Sequence, residues 1–190
     1  LDTDQSGAVF ANTVAHELHH IGLGAACDRA GEARYADTSA AAAKARNWLG
    51  AFGEGLAMLA AAGGPNVHPH RDSPPSERER WDRDSRDAAA QMVALERFFL
   101  SILNGRLTAD SAITRQGMEF FGVQGPWYTV GYRMWSTVER RLGRARVVAD
   151  ACEPARLIVD YDLAVAQDRS APRWSPSFVR AMRALQAPRL

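Results

Sequence analysis

Apolar and polar positions recur along this chain at the spacing of a helix, and no stretch alternates convincingly at period two. Near the start, Val14, Leu18, Ile21 and Ala25 form one apolar line, while Asn12, Thr13, His16, Glu17 and His20 form a polar one. An amphipathic helix is therefore expected from about Gly7 to Ala26, followed by a loop containing Gly31. A long alanine-rich helix should run from Thr38 to Ala62 and stop at Gly63-Gly64-Pro65. Residues 65–75 read as a Pro-rich loop. Ser76 and Glu79 have the spacing of a capping box, opening a helix that turns Met92, Leu95, Phe99, Ile102 and Leu103 inward before Asn104-Gly105. Thr108 should cap a shorter helix reaching Phe121. Gly125-Pro126 opens another from Trp127 to Leu142, which Gly143 stops. Pro154 starts a segment through Ala166, and Ser175-Pro176 starts a last helix to Leu185. The expected fold is mainly α, one helical bundle over residues 1–190.

Composition narrows the function classes. A hydrophobic content of 46% with 24% charged residues is ordinary for a globular domain, and 190 residues suffice for one continuous core. The net charge of +1 leaves no electrostatic footprint for nucleic acid or an acidic membrane surface, and the arginines of residues 169–189 are too sparse for one. No apolar run approaches the ~20 residues that span a bilayer. The chain opens on Leu1 with no signal-like segment, as a processed or truncated product would; the compartment stays open, with secretion or the periplasm as one option. Cys27 and Cys152 could pair in an oxidising compartment; they are read as free or structural cysteines.

Candidate chemistry centres on Ala15-His16-Glu17-Leu18-His19-His20, which reads H-E-x-x-H. On a helix, residues at i and i+4 project from one face, so His16 and His20 can take two corners of a zinc tetrahedron while Glu17 reaches a water at the metal. A solvated polar face is the competing reading, and a His16/His19 pair is also geometrically possible.

A second signal lies in the alanine-rich helix, where Gly50, Gly53 and Gly55 surround Glu54. Each interior glycine costs roughly 1 kcal/mol relative to alanine, so the group calls for close approach by another helix. A carboxylate on such a face needs a partner or a metal. Glu54 fits a third zinc ligand, brought to His16 and His20 by packing of the two helices; a surface position, or pairing with an arginine such as Arg46, is the alternative.

With these residues in view, the chain resembles the gluzincin metallopeptidases, whose third ligand is a glutamate on a following helix. It is similar, more narrowly, to bacterial families of zinc-dependent peptidases that carry an E-G-L-A segment and, later, Y-x-x-G-x-x-M with a following Glu and a helix-ending Gly. Here these are Glu54-Gly55-Leu56-Ala57, Tyr128 to Met134 with Gly131 between them, Glu139 and Gly143. The resemblance covers roughly residues 10 to 165. Gluzincins generally carry a β-sheet before the H-E-x-x-H helix; either that sheet belongs to another part of the protein, or substrate is held otherwise.

Tyr128 and Tyr132, at i and i+4, could both face one cleft, and a phenolic O–H suits a developing oxyanion. The resemblance favours Tyr128, with Tyr132 in reserve; an aromatic core role beside Trp127 and Trp135 is the alternative. His68 and His70 form an H-x-H pair in the Pro-rich loop, either solvated or rimming the cleft. Glu77 to Asp87 reads as a solvated helix start with local ion pairs.

The expectation is thus a zinc hydrolase, specifically a gluzincin-type metallopeptidase acting on a peptide or protein. His16, His20 and Glu54 would hold Zn²⁺, Glu17 would be the general base, and Tyr128 would be the oxyanion donor. The rivals are a metal-binding protein without hydrolytic activity and a helical interaction module in which H-E-x-x-H is coincidental.

Overall fold

A computed structural model describes residues 7–30 and 37–186, the side chains of residues 28–30 excepted. The expected loop at Gly31 lies outside the described residues. Among those described there are α-helices and one 3₁₀ turn but no strand, a mainly α fold as the periodicity implied. The helices are α1 (Gly7–Ala30), α2 (Ala40–Leu49), α3 (Gly53–Ala62), α4 (Pro75–Arg86), α5 (Ala88–Leu103), α6 (Asp110–Glu119), α7 (Pro126–Leu142), α8 (Arg144–Asp150), α9 (Pro154–Ala164) and α10 (Pro176–Leu185), with the 3₁₀ turn at Gly50–Phe52. No described helix is long and apolar enough to cross a membrane.

Helix α7 is the hub. It buries Trp127, Val130, Met134, Trp135 and Val138, and α3, α5, α8 and α9 pack around it. An aromatic cluster surrounds Trp127: Phe52, Phe98, Phe99 and Phe120 meet it edge-on, and Trp48 stacks on it. Its indole N–H donates to the Gly117 carbonyl at 2.9 Å, so the cluster's polar handle is satisfied.

Several element boundaries depart from expectation, each for a local reason. The alanine-rich stretch is two helices. Ser39 caps α2, accepting from the Ala42 N–H at 3.2 Å, and the 3₁₀ turn breaks the ladder where the Phe52 carbonyl turns to accept from the Trp135 indole at 2.9 Å. The capping box at Ser76 does not form, because Pro75 with its preset φ occupies the first helical position and puts Ser76 inside the helix. The following segment is split at Asp87. The last carbonyls of α4 also accept from side chains, Asp84 from Gln91 at 2.9 Å beside the Asp87 backbone N–H at 3.2 Å, and Ser85 from Arg133 at 3.0 Å. Thr108 does not cap α6, which starts at Asp110 after an extended Ala109. Helix α8 was not foreseen.

Helix α1 turns its histidine face inward, as the metal reading requires. Its apolar line is on the outside: Leu18 and Ile21 are 60% and 69% exposed, with Phe10 and Val14 also exposed. The inner face carries Asn12, His16, His20, Leu23 and Cys27 and lies on α3. Two anchors hold it there. Asn12 donates to the Pro69 carbonyl at 3.3 Å, and Cys27 forms a disulfide with Cys152 just before α9. The two cysteines are therefore paired, not free.

Candidate metal centre

His16 and His20 stand one turn apart on the inner face of α1, and Glu54 rises from the first turn of α3 to meet them. The His16 and His20 Nε2 atoms are 3.1 Å apart, and the Glu54 Oε2 atom lies 3.2 and 3.3 Å from them. Four ligands placed tetrahedrally about 2.0–2.1 Å from a zinc ion stand about 3.3 Å from one another, so this triangle has the size of one tetrahedral face. Two imidazole nitrogens and a carboxylate oxygen are an ordinary donor set for Zn²⁺, and a cation at their meeting point relieves the crowding of lone pairs. The residues fit the metal. Among the described residues, this is the grouping of His, Cys, Asp and Glu side chains whose ligand atoms converge.

Glu54 is mostly buried. Burial pushes its carboxyl up, but the His16 hydrogen bond, the His20 and His16 charges and a Tyr128 hydrogen bond outweigh this and hold it below the usual range. Tyr128, on the first turn of α7, stacks its ring near that of His16 at 6.3 Å. Burial first, then the Glu54 charge and hydrogen bond and the Glu17 charge, push its phenol up to about 12, so it is a donor at neutral pH. His16, Glu17 and Tyr128 line one cavity of about 320 Å³, together with Met58, His70 and Gln124. A larger hollow, about 390 Å³, lies on the other side of His20 against Leu23, Leu49, Trp135 and the disulfide, away from Glu17 and Tyr128.

The remaining sequence candidates divide. His19 stays out of the triangle; burial, then the His20 and His16 charges, push its pKa down. Tyr132 does not reach the cluster: its hydroxyl donates to the Val67 carbonyl at 2.7 Å, and its ring meets Trp81. His68 pairs with Asp82 at 3.0 Å, outside this cavity. His70 is not a solvated loop histidine. It is 5% exposed and lines the cavity. The charged run from Glu77 is only partly solvated, since Trp81 within it is buried and Arg78 donates to the His70 and Arg71 carbonyls. Arg78, Asn12, Tyr132 and Arg140, which donates to the Pro65 carbonyl at 2.6 Å, together pin the Pro-rich loop against the cleft.

Gln124 was missed. Its only sequence signal is a position just before Gly125-Pro126, a turn ahead of a helix.

The glycines around Glu54 act differently from expectation. Gly55 makes the close approach, but to α7: an added Cβ there would lie 2.1 Å from the Tyr132 nitrogen. Gly53 faces Leu23 of α1 at an ordinary 4.0 Å, and Gly50 faces open space.

Comparison with known proteins gives a single family. No curated protein and no solved structure matches the chain. The family model described as "Putative zinc dependent peptidase (DUF5700)" matches residues 1–170. With that match over most of its length, and with a zinc-compatible His/His/Glu cluster at its H-E-x-x-H helix, the chain belongs to the family so described.

Proposed function

We propose that this chain hydrolyses peptide bonds in the gluzincin manner, with His16, His20 and Glu54 as the metal ligands. The observation that carries the reading is one cavity lined by the ligand His16, an acid–base candidate in Glu17 and a phenolic donor in Tyr128. Zinc, when bound, supplies Lewis acidity, lowering the pKa of a coordinated water from 15.7 to about 7 and polarising a carbonyl.

The chain's own groups supply the rest. Glu17 follows His16 on α1 and offers a carboxylate that takes a proton from water and hands it to the leaving amine. Tyr128 keeps its proton and donates a hydrogen bond to the charge growing on the substrate oxygen. Glu54 ties α3 to α1 at the ligand triangle, while the close contact of α3 with α7 keeps Tyr128 beside it.

The test is metal content by elemental analysis, followed by mass-spectrometric screening of a peptide library with wild type and Glu17→Gln. Close to one zinc per chain is expected in both proteins, with cleavage only by wild type. A protein that binds no zinc would overturn the metal centre. Zinc bound without cleavage of any peptide would leave a non-hydrolytic metal-binding protein.

A further inference from the structure

Two spaces flank the ligand triangle. His16 lines the polar cavity that holds Glu17 and Tyr128. His20, whose Nε2 stands 3.1 Å from that of His16, lines the second hollow, of about 390 Å³. The proposed chemistry uses the first space and leaves the second without a task. Anything bound at the triangle has this hollow beside it, across one imidazole ring.

Three helices and a turn supply the walls. Helix α1 gives Leu23 and Gly24, the 3₁₀ turn and the start of α3 give Gly50 and Gly53, and α7 gives Trp135. The disulfide between Cys27 and Cys152 ties α1 to the segment that completes the wall. Gly24 stands one turn beyond His20 on the same side of α1. In helical backbone each glycine is less favourable than alanine by up to about 1 kcal/mol. None of these three has a positive φ to justify it, and none is needed for packing. A Cβ on Gly24 or Gly50 would meet nothing within 4 Å, and one on Gly53 would meet Leu23 Cδ2 at 4.0 Å. What the missing side chains leave is room.

The lining is mainly apolar. Arg46 and Glu153 stand in it with opposite signs, and Arg46 Nη1 donates to the Asp37 carbonyl at 2.8 Å, so the walls present no net charge for an ionic ligand. We propose that this hollow is a specificity pocket, taking an aliphatic or aromatic side chain from a substrate residue next to the scissile bond. The assignment rests on the peptidase reading and adds to it the class of residue selected. Successive Cα atoms of a peptide are about 3.8 Å apart, so a chain whose carbonyl lies at the triangle brings a neighbouring side chain to the far face of His20. Size agrees as well: a cavity of about 150 Å³ holds a benzene ring, and this hollow exceeds that. The wall shared with a metal ligand identifies the occupant, since a molecule unrelated to the reaction would gain nothing from it.

The experiment measures two probes on zinc-loaded protein by calorimetry. Acetohydroxamic acid carries a metal-binding group alone, and 3-phenylpropanohydroxamic acid carries the same group on an apolar arm. Wild type should bind the second about 10- to 100-fold more tightly, the worth of burying one such side chain. Gly24→Leu and Gly50→Leu, which put a side chain into the hollow, should remove most of that preference, with zinc content and acetohydroxamic acid binding as in wild type. Gly50→Ala, which adds one methyl and should fold at least as well as wild type, should lower the preference by a smaller factor. In the peptide-library screen, wild type should cleave beside Leu, Met or Phe, and Gly50→Leu should shift cleavage toward Gly and Ala. Wild type that binds acetohydroxamic acid with no preference for the arm would overturn the assignment and leave the peptidase reading standing. So would a preference that survives in all three glycine variants, which would put the arm in the Glu17 cavity. Zinc-loaded wild type that binds neither probe would count against the peptidase reading itself, and the pocket would fall with it.

Discussion

Gly55 of α3 and Gly131 of α7 meet backbone to backbone: a Cβ built on Gly55 would lie 2.2 Å from the Gly131 carbonyl carbon, and one on Gly131 would lie 3.1 Å from the Gly55 Cα. Glu54 precedes one of these glycines, and Tyr128 sits one turn before the other. The contact therefore sets the distance between a proposed ligand and the proposed oxyanion donor. It also gives a physical reason for the Tyr128-x-x-Gly131-x-x-Met134 spacing, in which Met134 is fully buried one turn further on.

Gly55→Ala should destabilise the fold by about 3 kcal/mol or more, since the methyl meets backbone that cannot swing away. Gly131→Ala should cost less. Gly50→Ala, in helical backbone with open space around it, should stabilise by about 0.4–1 kcal/mol. Urea unfolding of the three variants checks the order; a Gly55→Ala protein as stable as Gly50→Ala would contradict the packing described.

Zinc binding should be lost in His16→Ala and in His20→Ala and strongly weakened in Glu54→Ala, while His19→Ala should stay near wild type. Competition titration with a chromophoric chelator measures this. Glu54→Ala should also lower Tm in the zinc-loaded state much more than in the metal-free state, because ligand binding to the folded form is what adds that stability. Unchanged affinity in Glu54→Ala would remove the third ligand.

Tyr128→Phe should keep zinc and lower kcat by about 10²–10³, with little change in KM, as expected for a donor that acts on developing charge. Tyr132→Phe should leave kcat near wild type, since that hydroxyl is engaged with Val67. Steady-state kinetics on a cleaved library peptide distinguishes the two.

The disulfide closes a sequence separation of 125 residues, for which the chain-entropy view assigns about 4–5 kcal/mol. Reduction, or the Cys27→Ser and Cys152→Ser pair, should lower stability by an amount of that order. It should weaken zinc binding as well, because the bond fixes the end of the helix that carries His16 and His20. Denaturant curves and zinc titrations with and without reductant test both parts.

Asp150 should contribute a pH dependence to the stability of the fold. It is buried beside Asp160, with which Arg146 pairs through two hydrogen bonds. Burial, then the hydrogen bond to Asp160 and its charge, push the Asp150 carboxyl from the ordinary 3.8 up to about 8. A folded-state pKa above the unfolded one means the folded chain holds a proton that the unfolded chain has released. This contribution to stability is full below about pH 4 and falls away as pH rises to about 8. Asp150→Asn, which mimics the protonated acid, should flatten the stability profile across that window. A slope equal to that of wild type would show that Asp150 is not the group responsible.

What the sequence determined by itself was local. The i, i+4 spacing puts His16 and His20 on one face of any helix, and Glu17 beside them, whatever surrounds that helix. Helix stops were legible for the same reason, since Gly63 and Gly143 end their helices at φ 84° and 89°, where other residues are strained. The rotation of α1 about its own axis was not legible in its apolar periodicity. Helical periodicity relates positions on one element, but the face that turns inward depends on what packs against it, and here α3 and a disulfide hold the polar face in while Leu18 and Ile21 face out. The meeting of Glu54 with the two histidines was expected from its glycine-flanked setting and the family resemblance, but the choice of α7 as the partner of Gly55 and the placing of His70 and Gln124 in the cleft join residues far apart in the chain. Only the tertiary structure decided them, because nothing within a few residues of each position carries information about a neighbour supplied by another helix.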